Sequence, residues 1–394
     1  MTDALVIGPD ATGRQLCLAG GRVVAEAPAG AARLPCRDGR IAPGAVCAHT
    51  HLYSGLAAHG MPAAEPSPAT FLEILQRVWW RLDRALDEAS LAAAAADYVA
   101  RALLAGTTTL VDHHESPCVI EGSLAILARC CEALGMRALL CYGATERNFG
   151  RDEALRGLAE CATLADGRLV RGLIGLHAGF TVSDQTIRDA GALARSRGTV
   201  LHVHVAEDRA DVEDAKARGH RGPLERLQAL GALVPGTILA HGVHLDEAQV
   251  GLADTAGCWL VHNPRSNEGN RVGYAKALAA GRRVALGTDG WAADMAAEQA
   301  ALDRLGRLHG DPATGGRLAA GYRLAAERFG AGEDPLTPGA LGDLVVREKG
   351  TVRHVIVEGR QVVRDGMLAG ASFDAIEAEA RAQASRLWTR MAAL

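Results

Sequence analysis

Two histidines one residue apart, His49 and His51 in the run Ala48-His49-Thr50-His51-Leu52-Tyr53-Ser54-Gly55, are the first residues in this chain whose types and spacing suggest chemistry. On an extended strand, residues two apart project from the same face, so the two imidazoles stand side by side as half of a metal site. Taken alone, His-x-His is a weak signal, because so short a pattern recurs by chance. The residues that punctuate the rest of the chain change its meaning.

Between about Ala45 and Gly330, helical runs repeatedly end at Gly and give way to apolar strands. Residues 92–105 lead through Gly106 into 107–112, residues 124–134 through Gly135 into 137–142, and residues 186–197 through Gly198 into 199–204. Runs 223–230 and 247–256 precede strands 237–241 and 257–262, and 275–280 passes through Gly281 into 284–289. Glycine suits the left-handed position just past a helix, and apolar strands alternating with helices indicate a parallel sheet covered on both faces. With strands expected at 46–49 and 170–177 the count is eight, enough to close a (β/α)8 TIM-like barrel. An open doubly wound sheet is the weaker alternative, since no Gly-x-Gly-x-x-Gly turn follows the first strand.

Nearly every expected strand ends in a residue that binds metal or moves protons: His49 and His51, Asp112-His113-His114, His177, His204, His241, His262 and Asp289. Barrel enzymes carry their chemistry at this edge, whereas histidines placed at random have no preference for it. His49 and His51 from the first strand, His204 from the fifth and Asp289 from the eighth supply a ligand set for one divalent ion, zinc first and iron second. Such an ion makes hydroxide available near neutral pH, and Asp289 beside it can take the proton of water.

Glu207 lies three residues after His204 and would face the opposite side of a continuing strand. The strand must therefore end near Val205, which places Glu207 on a loop over the barrel mouth as a general acid. His241 is expected to hydrogen-bond the attacking water or a developing oxyanion. Candidate substrate contacts are His177, His113, His114, Arg265 and Asn267; which of His113 and His114 faces inward is open, and Arg265 suits a carboxylate or carbonyl. His202, one layer deeper than His204, reads as a satisfied core histidine, and His220 and His244 as solvated. The Trp79-Trp80 pair is read as packing rather than as a stacking surface.

The ends of the chain follow a different pattern. Runs 15–19 and 22–25 flank Gly20-Gly21, and runs 352–357 and 361–363 flank a second tight turn. Isolated hairpins are marginal in water, so both ends are expected to pack into one discontinuous β-sandwich. The expected division is 1–44 for its first part, 45–334 for the barrel, 335–372 for its second part and 373–394 for a C-terminal helix.

Apolar residues at 48% and charged residues at 22% describe a globular protein with a large core. A net charge of −4 with no Lys/Arg-rich run argues against nucleic acid. The alanine-rich run 89–106 is interrupted by Asp97 and Arg101, which argues against a membrane span. No signal-peptide pattern is read at the N-terminus, and nine scattered cysteines without a Cys-x-x-Cys pair read as reduced core residues of a cytoplasmic protein. The expected partner is a small heterocyclic molecule, with room for a homodimer.

His-x-His, His with Glu three later, His on the sixth strand and Asp on the eighth together resemble the amidohydrolase superfamily, in its mononuclear aminohydrolase branch. More narrowly, residues 48–56 and 79–88, Asp112-His113-His114, Ala206-Glu207-Asp208 and His262-Asn263-Pro264-Arg265-Ser266-Asn267 are similar to SsnA-type aminohydrolases. The resemblance implies zinc or iron at His49, His51, His204 and Asp289, with Glu207 and His241 in proton transfer and orientation. It also implies hydrolytic removal of ammonia from an amino-substituted heterocycle of the purine, pyrimidine, pterin or triazine kind by metal-bound hydroxide. Hydrolysis of a cyclic amide or a carbon–chlorine bond is the enzymatic alternative, and a ligand-binding barrel without turnover the non-enzymatic one.

Overall fold

A computed structural model describes residues 4–394. Eight parallel strands form the central sheet: β1 (Ala45–Thr50), β2 (Thr107–His114), β3 (Arg137–Ala144), β4 (Ile174–Ala178), β5 (Leu201–Val205), β6 (Ile238–His241), β7 (Trp259–His262) and β8 (Val284–Leu286). Their residues are buried almost without exception, as both faces of a barrel sheet require. Closure is made by the chain just after β8, where the Thr288 and Asp289 amides both donate to the His49 carbonyl, at 2.9 and 3.0 Å. Helices 88–105, 123–134 and 184–197 end at Gly106, Gly135 and Gly198 in left-handed geometry, as the sequence pattern requires.

Two local expectations need correction. The run 170–177 is not one strand: Val170–Gly172 pairs only with β3, and the chain shifts at Leu173 before β4 enters the barrel wall. Residues 275–280 do not form an α-helix. They make a 3₁₀ turn, Lys276–Ala280, in which the Leu278 amide donates to the Ala275 carbonyl and the Gly281 amide to that of Leu278.

The N-terminal segment builds a four-stranded sheet from Arg22–Val24, Leu16–Ala19, Ala4–Asp10 and Ala32–Cys36, with the last pair parallel. Arg40–Pro43 crosses to a second sheet and pairs antiparallel with Leu344–Glu348, which continues through Thr351–Val357, Arg360–Arg364 and Met367–Leu368. Arg137, at the start of β3, joins barrel to sandwich. Its guanidinium bonds Asp343 at 2.6 and 3.0 Å, with both side chains buried.

The last helix, Phe373–Ala392, packs on helix Glu88–Ala105 and on Trp80–Ala85. Arg390 donates to the Ala85 carbonyl and Arg81 to that of Met391, each at 2.7 Å. All nine cysteines are free, six of them buried and Cys118 exposed. Among the described residues no helix is long and apolar enough to cross a membrane.

Candidate active site

The strand ends converge at the C-terminal mouth of the barrel. One donor atom each from His49, His51, His204 and Asp289 lies within 4.8 Å of all the others. His51 Nε2 is 2.8 Å from Asp289 Oδ1, His49 Nε2 is 3.5 Å from the same oxygen, and His51 and His204 face each other through Nε2 atoms 3.3 Å apart. Ligands about 2.1 Å from a tetrahedral zinc sit roughly 3.4 Å from one another, so the spacing suits a shared ion.

The opposite ring nitrogens are all occupied. His51 Nδ1 donates to the His113 carbonyl at 2.5 Å, His204 Nδ1 to the His177 carbonyl at 2.6 Å, and His49 Nδ1 meets His202 Nε2 at 2.9 Å. Outer partners of this kind fix the tautomer and aim the Nε2 lone pair inward. His49 Nε2 is buried with no hydrogen-bond partner. An unpartnered buried nitrogen, two lone pairs face to face and a carboxylate between them lack one thing, a cation. The donor set therefore fits a divalent ion.

Local charge leads to the same conclusion. Burial alone would lower the His51 pKa, yet Asp289 and Glu115 outweigh it and raise it to about 9. Asp289 is held well below the usual carboxylate range, the imidazoles of His49 and His51 overcoming the opposing effect of burial. The pocket is built to hold positive charge.

Asp289 is strapped in place. Thr50 Oγ1 donates to its carbonyl at 3.1 Å, Ser266 Oγ bonds its Oδ2, and the Tyr98 hydroxyl donates to the Trp291 carbonyl at 2.6 Å just beyond. Gly287 is required here, because a Cβ at this position would lie 2.8 Å from the backbone of His49 and 2.5 Å from Asn263 Oδ1.

Glu207 stands across the mouth. β5 ends at Val205, and Ala206 takes a left-handed φ of 49° that swings Glu207 over the barrel. His241 and Asp289 also have positive φ, 76° and 54°. Strained backbone of this kind clusters where side chains must be aimed. Glu207 Oε2 is 3.6 Å from His241 Nε2, a second buried nitrogen without a hydrogen-bond partner, while His241 Nδ1 donates to Asn267 Oδ1 at 2.9 Å. Burial and then the neighbouring Asp289 push the Glu207 pKa well above its usual value. Two adjacent carboxyls are thus driven apart, one toward the ionised form and one toward the acid.

The other candidates disperse. His177 lines the cavity, with Nε2 3.6 Å from Glu115. His113 faces the barrel interior among His49, His51, His202 and His204 and donates from Nε2 to the Leu176 carbonyl, so it packs beneath the site instead of lining it. His114 faces the other way, with Nε2 on Ser116 Oγ. Asn267 is consumed in holding His241. Arg265 does not reach the cavity, because buried Glu298 and the Ala292 carbonyl take its guanidinium and turn it onto Trp291. His262 also stays out, accepting from Arg317 Nη1 at 2.7 Å.

Trp79 packs on the core as expected, and both it and Trp80 also line the cavity with His51 and Asp289. A π-helical turn, Leu75–Trp79, widens the helix there and presents Trp79 over Gly290. Sequence reasoning missed Glu115 and Asn270. Arg147 bonds both Asp83 and Glu115 at 2.9 Å while its guanidinium stacks 4.7 Å from the Trp80 ring. Asn270 Nδ2 reaches Glu207 Oε1 at 3.4 Å and Ser266 at 3.2 Å. Glu115 directly follows the Asp112-His113-His114 strand end, and Asn270 lies one helical turn beyond Ser266; those placements were the available signals.

The sequence profile described as "Amidohydrolase family" matches residues 40–362. A 5-methylthioadenosine/S-adenosylhomocysteine deaminase of Thermococcus sibiricus is 30% identical over 332 residues, 78% of this chain and 73% of that protein. An 8-oxoguanine deaminase of Pseudomonas aeruginosa is 29% identical over 400 residues, 88% of this chain and 87% of that protein. A crystal structure of a Xanthomonas campestris adenosine deaminase with bound zinc superposes with a TM-score of 0.82 at 24% identity, covering 98% of each chain; at that identity the likeness concerns the fold.

Proposed function

The chain belongs to the amidohydrolase family, and from that premise we propose that it removes ammonia by hydrolysis from an amino-substituted nitrogen heterocycle. The observation that carries this reading is the meeting of His49, His51, His204 and Asp289 around one point, with Glu207 and His241 facing it. Relatives named as deaminases of purine-type compounds support the substrate class.

His49, His51, His204 and Asp289 would hold one divalent ion, and their N/O donors favour zinc, with iron second. Bound there, such an ion supplies Lewis acidity that brings water toward ionisation at neutral pH. Asp289 is kept anionic and accepts a proton through its carboxylate. His241, its Nδ1–H committed to Asn267, offers the Nε2 lone pair to orient the O–H of an attacking water. Glu207, kept protonated by burial and by Asp289, delivers its proton to a ring nitrogen. The proton that Asp289 takes from the attacking water goes on to the amine, which leaves as ammonia, and the remaining hydroxyl proton returns to Glu207. The nine free thiols support a reducing compartment such as the cytoplasm.

The test combines metal analysis of the purified protein with ammonia release from a panel of aminopurines, aminopyrimidines and aminotriazines. One equivalent of divalent metal and ammonia from at least one class are expected. A metal-free protein that stays inert after zinc loading would overturn the reading.

A further inference from the structure

The cavity above the ligand cluster encloses about 650 Å³ of free space, counting the part open to solvent. Its apolar walls are Tyr53, Phe71, Trp79, Trp80 and Phe180, with Leu75 among them. Phe180 and Trp80 each stand edge-on to His177, with ring centres 6.3 Å from the imidazole. Flat aromatic walls of this kind fit a planar ligand.

Beyond the ligand cluster and Glu207, which is held as the acid, the acidic lining is Glu115, Asp208 and Asp211, and among the described residues no lysine or arginine lines the cavity. The adjacent guanidinium, Arg147, lies behind the Trp80 ring, shares one Nη2 between Asp83 and Glu115, and donates from Nε to Thr145. Glu115 neutralises that one cation, so the pair presents no net charge to a ligand and the acidic wall is carried by Asp208 and Asp211. Arg265, the other guanidinium expected at the mouth, is held by Glu298 on a separate surface.

We propose that this cavity selects planar ligands that are neutral or cationic beyond the reacting ring and rejects those carrying a carboxylate or phosphate there. Like charges brought together at a partly desolvated wall cost binding, whereas an ammonium placed between those carboxylates gains it. Cationic groups also gain from the tryptophan faces. The proposal rests on reading this cavity as the substrate site and adds to that reading a rule for the substituent.

Three adenosine derivatives of nearly equal size isolate the charge: the 5′-amino-5′-deoxy compound, the 5′-carboxamide and the 5′-carboxylate. Binding to the zinc-loaded protein is read by stopped-flow tryptophan quenching before turnover. The expected order is amine, then carboxamide, then carboxylate, with the carboxylate weaker than the carboxamide by about tenfold or more at low salt. The gap should shrink at high salt, as screening requires. Asp208→Asn, which keeps an N-cap side chain for helix Arg209–Ala217, should narrow it about threefold. A carboxylate bound as well as the carboxamide, a gap insensitive to salt or to Asp208→Asn, or no binding by any of the three would overturn the proposal. Ammonia release is scored separately, so the expected binding order without ammonia would refute the reaction and leave the charge rule standing.

Discussion

Glu207 Oε2 and His241 Nε2 face each other at 3.6 Å at the barrel mouth, where the backbone turns through positive φ at Ala206, just before Glu207, and at His241, the last residue of β6. The carboxyl is pushed toward its acid form by burial, and burial likewise pushes the imidazole toward its neutral form against the opposing effects of Asp289 and Asn267. The pair is thus a donor beside an acceptor, with a carboxylate oxygen of Asp289 within 4.8 Å of both.

Glu207→Gln keeps the shape and removes the transferable proton. We expect kcat to fall by about 10² to 10⁴-fold, in the range general acid catalysis contributes, with metal content unchanged. Steady-state kinetics beside metal analysis reads both. In the parent enzyme the rate should drop on the alkaline limb, because the group must be protonated to act; retained activity in the variant would assign the proton to another group.

Metal loading depends on the outer partner as well as the ligands. His204→Ala should abolish stoichiometric metal, whereas His202→Leu, which leaves His49 Nδ1 without its partner at 2.9 Å, should weaken affinity by about 10 to 100-fold. Competition against a chromogenic chelator measures both. Equal affinity in His202→Leu and the parent would show that His49 is oriented by other contacts.

Asp83 gives a pH dependence of stability. Burial raises its pKa from 3.8 to about 7 despite the nearby Arg147. Between those values the folded chain holds more protons than the unfolded one, so this group's contribution is full below about pH 4 and is lost as pH rises through 7. Asp83→Asn should remove that loss and gain on the order of 2 kcal/mol relative to the parent between pH 5 and pH 8. Urea unfolding at the two pH values tests it, and parallel shifts in both proteins would contradict the assignment.

Arg137→Ala should destabilise the chain by about 3–5 kcal/mol, since it leaves Asp343 buried without its charge partner. Because the pair lies at the opposite end of β3 from the site, kcat per folded molecule should stay near the parent value. Thermal unfolding and active-site titration separate the two effects.

The meeting of His49, His51, His204 and Asp289 was legible because closure of a barrel converts strand ends that are distant in sequence into neighbours, and these four residues lie at or just beyond such ends. Glu207 was legible for a related reason: its offset from His204 demanded a strand that stops at Val205, which is where β5 stops. Arg265 was not, because the side chain that captures it, Glu298, sits on a helix whose approach no local pattern reveals. Trp79 and Trp80 read as packing in the sequence because tryptophan buries so much area, and the π-helical turn just before Trp80 that brings them to the cavity has no local sequence signal. Glu115 and Asn270 depend on side-chain directions beyond the ends of regular elements, where neither the two-residue nor the 3.6-residue period applies.

Ala206, His241 and Asp289 each hold a backbone conformation that costs an L-residue about 1–2 kcal/mol. A thermostability screen would find glycine attractive at Ala206, since it relaxes that torsion without removing a side chain from the site. The released hinge would also let the adjoining acid wander from its firing position. Durability and turnover are therefore set against each other at this joint, and a variant that melts later while working more slowly is its expected signature.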